Sequence, residues 1–112
     1  MISIETIETV DTGVTELSDE MKRELLSNLK EKKSFIEQSI SSVNEAINRL
    51  NTVMIPEAEK LINSTDERDK ISGEKELKIH KANLEKDTAK LAELQAQLAE
   101  IDKQIAELES AQ

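Results

Sequence analysis

LKIHKANLEKDTAKLAELQAQLAEIDKQIAELESA, residues 77–111, divides without remainder into the heptads LKIHKAN, LEKDTAK, LAELQAQ, LAEIDKQ and IAELESA. Leu77, Leu84, Leu91, Leu98 and Ile105 form one column, and His80, Asp87, Leu94, Ile101 and Leu108 form the column three residues on. Alternating spacings of three and four lay a stripe down one side of an α-helix, and a sustained period of seven is the pattern of a coiled-coil seam. The last three heptads are apolar in both columns. The first two set a histidine and an aspartate in the seam.

A second series lies upstream. Leu26, Lys33, Ile40, Ile47, Met54 and Leu61 share one column, and Leu29, Ile36, Val43, Leu50 and Glu57 the other. Ser18 followed by Asp19 and Glu20 marks a helix start, because a hydroxyl accepts from an orphan amide and acids suit the positive end of the helix dipole. A first helix over about 19–62 follows. The heptad phase carries through from Met54 to Leu61, which reads Pro56 as a kink or short break within one helix. Asn63-Ser64-Thr65-Asp66-Glu67-Arg68-Asp69-Lys70 and then Ser72-Gly73 compete for backbone hydrogen bonds and place a turn over about 63–73. A second helix occupies about 74–111.

Folding back at that turn sets Leu26 opposite Leu108, Leu29 opposite Ile105, Ile36 opposite Leu98, Ile40 opposite Leu94, Val43 opposite Leu91 and Leu50 opposite Leu84. A slip of one heptad loses partners for Leu26 and Leu29. Charge favours the same antiparallel pairing: residues 21–33 carry a net +3 and residues 91–112 a net −4. The hairpin brings Lys22, Arg23, Lys30, Lys32 and Lys33 toward Glu100, Asp102, Glu107 and Glu109, whereas a parallel pair of second helices would set those acids beside their own copies. A parallel trimer or tetramer built on the terminal heptads is the rival, since Leu and Ile at these columns do not enforce a dimer. The expected fold is all-α: a long antiparallel two-helix coiled-coil hairpin over 18–112, assembling into a bundle.

Composition agrees. The chain has 112 residues and a formal net charge of −9, with 35% charged and 37% apolar residues; Phe35 is the only aromatic side chain, and Cys, Trp and Tyr are absent. Burial must come from many aliphatic side chains spread thinly along helices. Without cysteine there is no disulfide framework, zinc ribbon or thiol nucleophile. Met1-Ile2-Ser3-Ile4-Glu5 has no basic n-region and opens no apolar run, so neither a signal peptide nor a membrane span is expected. The expected location is the cytoplasm or an assembled particle.

Residues 1–17 stand apart as an extended acidic N-terminal arm. Ile4-Glu5-Thr6, Ile7-Glu8-Thr9 and Val10-Asp11-Thr12 repeat a β-branched, acidic, β-branched triplet that ends at Gly13, and such residues favour extended backbone. A period of three suits neither strand alternation nor a helical stripe. The segment reads either as a frayed acidic tail or as an arm that adds as a strand or lies in a groove on a partner subunit through Ile2, Ile4, Ile7 and Val10.

No catalytic, cofactor-binding or metal site emerges. His80 is the only histidine, and it reads as a polar seam residue. The acids of 66–74 do not follow a calcium-loop pattern. Gly13 and Gly73 are the only glycines, so there is no phosphate cradle. Asn63-Ser64-Thr65 matches a glycosylation acceptor by chance. With 24 acids against 15 bases and no stacking aromatics, nucleic acid is not an expected partner; nor are a membrane or a small-molecule substrate.

Interaction surfaces are the more informative signal. Ala89, Ala92, Ala96, Ala99 and Ala106 make a stripe roughly opposite the Leu/Ile seam, where small residues let another helix approach. Val53, Ile55, Ala58 and Ile62 fall outside both seam columns around Pro56, and Phe35 also points away, so a two-helix hairpin alone leaves them wet. The expected function is that of a non-enzymatic structural or assembly protein acting through self-association or incorporation into a larger complex, such as a small viral-particle or secretion-apparatus component. The alternative is a small helical chaperone or adaptor, or a secreted hairpin binding protein. In outline the hairpin is similar to prefoldin subunits and to small secreted hairpins with a Trp-x-Gly turn, but this chain has no Trp and no paired strands at the turn.

Overall fold

A computed structural model describes residues 18–110, of which 95% are helical. The extended arm proposed for residues 1–17 lies outside the described residues. Helix α1 spans Asp19–Arg49, a π-helical segment Leu50–Met54 continues it, α2 spans Ile55–Ile62, and α3 spans Glu67–Ser110. The architecture is an all-α helical hairpin, with no strand among the described residues.

Each helix end has a sequence cause. Ser18 caps α1: its Oγ accepts from the Met21 N–H at 3.1 Å, and its carbonyl accepts from Lys22 N–H at 2.9 Å. Asp19 and Glu20 occupy the first turn. The chain reverses over residues 63–66, a shorter turn than the sequence suggests. Asp66 is the reason. Its Oδ1 accepts from Arg68 N–H at 2.9 Å and its carbonyl from Lys70 N–H at 3.1 Å, which starts α3 at Glu67. Ser64 Oγ accepts from Asp66 N–H and donates to Asp69 Oδ2, both at 3.1 Å. Ser72 and Gly73 therefore belong to α3 and not to the turn.

Among the described residues the contacts fall into two units, 18–34 with 100–110, and 35–99. In the described part of the first, Ile101 is buried and Leu26, Leu29, Ile105 and Leu108 are partly buried. Lys33 Nζ lies 2.7 Å from Asp102 Oδ1, and Lys30 Nζ lies 3.7 Å from Glu109 Oε2. In the register that pairs Leu29 with Ile105, Lys33 faces Ile101, the residue beside Asp102. The charge-sorted antiparallel pairing is thus present.

In the second unit Ile36, Leu50, Ala58 and Leu94 are buried, with Ile40, Val43, Ile47, Leu84, Leu91 and Leu98 partly so. The heptad columns hold without exception along α1 and α3. After Leu50 they hold only in part, with Met54 and Leu61 still partly buried. Glu57, placed in a seam column by the sequence, is exposed, while Ala58 is fully buried and Ile55 and Ile62 are partly buried. The π segment explains the shift. Pro56 has no N–H to offer, and its ring presses on the carbonyl four residues back, at Thr52. Widening the helix relieves this: Ile55 N–H donates to the Leu50 carbonyl five residues earlier, and the Thr52 hydroxyl donates to the Asn48 carbonyl at 2.8 Å. A π-bulge acts as a one-residue insertion. Discount one residue and Ile47, Leu50, Ile55, Ala58 and Ile62 fall into a continuous heptad series. The short break read at Pro56 takes the form of the π segment before α2; the phase moves by one residue, and the expectation that Ile55, Ala58 and Ile62 lie outside the seam is corrected.

Candidate interaction surfaces

Helices α2 and α3 approach closely at Gly73. A Cβ on Gly73 would stand 2.8 Å from the Ala58 carbonyl oxygen, 2.8 Å from Leu61 Cβ and 2.9 Å from Ile62 N. Real Cβ atoms do not sit so close, and two of the three neighbours are backbone. Gly73 is in α3 because its missing side chain lets α2 approach, and Ala58, 0% exposed, fills the facing position.

The seam also carries polar groups. His80 and Asp87 are partly buried, as is Lys33. The Nδ1 atom of His80 is buried with no hydrogen-bond partner, a local cost of the kind that polar seam residues bring. No group of three or more metal-ligating side chains occurs among the described residues, and none of their helices is long and apolar enough to cross a membrane.

Away from the seam, Ala89, Ala92, Ala96, Ala99 and Ala106 are all exposed, on the side of α3 opposite its buried columns. Phe35 is 69% and Val53 45% exposed on the first arm, whereas Ile55 and Ile62 are turned partly inward. Ile2, Ile4, Ile7 and Val10 lie outside the described residues. The structure adds two large apolar side chains on α3 that the sequence reading passed over: Ile71 is 62% and Ile79 52% exposed. Ile71 was hidden inside the supposed turn. Ile79 sits one residue before His80, and its displacement from the seam columns was the available signal. Met21 and Leu25 are likewise exposed near the start of α1.

At 3.6 residues per turn, Ile71, Lys75, Lys78, Ile79, Ala82 and Lys86 project within an arc of about 100°, centred opposite the seam. All except the two isoleucines and Ala82 are basic, and all are exposed. Lys70 and Lys90 pair along the helix with Glu67 at 3.8 Å and Glu93 at 3.3 Å. Lys75, Lys78 and Lys86 make no ion pair among the described residues. Such a face is suited to a partner that is both apolar and acidic. A shallow trough on the outer side of α1 and the π segment, lined by Ser42, Glu45, Ala46, Arg49, Thr52 and Val53, has no comparable pattern. No family model, curated protein or solved structure matches this chain.

Proposed function

We propose that the chain is a non-enzymatic structural protein that works by coiled-coil self-association, or by incorporation into a larger assembly through the same surface. The observation that carries this reading is the two-sided character of α3. One side of the helix packs in the hairpin seam, while the other leaves Ile71 and Ile79 more than half exposed, with the alanine stripe continuing beyond them. A helix with apolar residues on opposite sides is what the inner member of a multi-helix bundle requires. The mechanism is mutual burial: the seam makes the hairpin, and the outer face of α3 joins copies or partners.

Sedimentation equilibrium of the full chain tests this. The expected result is a mass above that of one chain that grows with concentration, and a weaker association when Ala92→Glu and Ala96→Glu are introduced together. A single-chain mass at every concentration would remove self-association and leave only incorporation with other chains.

A further inference from the structure

We propose that the outer face of α3 from Ile71 to Lys86 binds the acidic N-terminal segment of a second copy, residues 2–11, so that copies are joined arm to helix. The inference rests on the self-association reading and names its partner.

The two surfaces match in three respects. The face interleaves Ile71, Ile79 and Ala82 with Lys75, Lys78 and Lys86, all exposed. The segment interleaves Ile4, Ile7 and Val10 with Glu5, Glu8 and Asp11, and residues 1–17 hold four acids, Glu16 being the last, with no lysine or arginine. Apolar groups thus meet apolar groups while each carboxylate meets an ammonium that has no ion-pair partner among the described residues. Length agrees as well. Fifteen helical steps from Ile71 to Lys86 rise about 23 Å, and the six steps from Ile4 to Val10 span about 19 Å in a polyproline II conformation, whose three residues per turn set Ile4, Ile7 and Val10 on one side with Glu5, Glu8 and Asp11 in the next row.

The segment is assigned to a second copy because self-association supplies one, and a mixture of charge-reversed variants separates it from a segment that folds onto its own chain.

Charge reversal in the full chain tests the proposal and the source together. One variant carries Glu5→Lys, Glu8→Lys and Asp11→Lys; the other carries Lys75→Glu, Lys78→Glu and Lys86→Glu. Neither can pair its own segment with its own face. Each alone is expected to self-associate about tenfold or more weakly at low salt, with far-UV circular dichroism confirming an intact hairpin. Mixed, the reversed segment of the first matches the reversed face of the second, and association recovers in a sedimentation-velocity run with one variant labelled. A third variant, Ile4→Asn with Ile7→Asn, leaves the charge untouched and should weaken association at high salt too. If both reversal variants associate as the parent does, the segment is not the partner, although self-association stands. If the mixture is no stronger than either variant alone, the exchange between copies is wrong. A parent chain that stays monomeric throughout removes both the inference and the reading beneath it.

Discussion

Two stretches of the first arm obey the same packing rule with different arithmetic. From Ile36 to Leu50 each buried or partly buried apolar residue follows the previous one by three or four, and the stripe can be read straight from the letters. From Ile55 to Ile62 a stripe of the same spacing, Ile55, Ala58 and Ile62, starts one residue late beside the partly buried Leu61, because the Leu50–Met54 segment takes an extra residue into its turn. The comparison teaches that a heptad series reports side-chain direction only while the backbone keeps its pitch. Pro56 disturbs the pitch, and the count is reset with no change in composition to announce it.

The sharpest way to break this comparison is a pair of single-residue deletions. In a Pro56→Ala background, where no ring needs the widened turn, removing Asn51 takes out the inserted residue and should leave thermal stability within about 1 kcal/mol, since Ile55, Ala58 and Ile62 keep their places. Removing Asn44 instead slips Ile47 and Leu50 out of their columns, at a cost of about 4 kcal/mol or more in urea unfolding. Equal losses from the two deletions would refute the insertion account. Next in size, Ala58→Glu should cost about 3 kcal/mol or more by forcing an unpaired charge into a closed position, while its neighbour Glu57→Ala should change stability by less than about 0.5 kcal/mol. The unshifted phase requires the reverse order.

Much of the hairpin was legible for a simple reason. The columns from Leu77 to Leu108 and from Leu26 to Leu50 repeat often enough for position to outweigh any one residue, and Ser18 caps its helix through a short-range hydrogen bond that sequence spacing encodes. What stayed hidden depends on close approach between elements distant in sequence. Gly73 looks like a turn residue because glycine usually serves backbone freedom; here it serves proximity, and only the Ala58, Leu61 and Ile62 atoms around it say so. The outer face was half legible. The alanines declared themselves by period, whereas Ile71 was obscured by the turn-like residues around it.

Gly73→Ala turns that lesson into a measurement. In an ordinary exposed helix the change would stabilise by about 1 kcal/mol; at this site the new methyl meets backbone at 2.8 Å, and a net loss of about 1–2 kcal/mol is expected in thermal unfolding. His80→Leu should act the other way, raising stability by about 1 kcal/mol through removal of a buried nitrogen without a partner. The smallest expected effect is the Lys33–Asp102 coupling. With both side chains at least a third exposed, a double-mutant cycle should give a few tenths of a kcal/mol, shrinking as salt is added.

The reversal at residues 63–66 has a kinetic consequence. Its hydrogen bonds, from Ser64 to Asp69 and from Arg68 to Asp66, join residues at most five apart, so it can form before any distant pair has met. Closing so short a loop takes tens of nanoseconds, and each seam layer added afterwards closes only a little more chain than the layer before it. The hairpin is expected to fold from its corner outward, as a zip does. Changes at Ser64 or Asp66 should then slow folding, while changes at Ile36 or Leu98 should chiefly hasten unfolding.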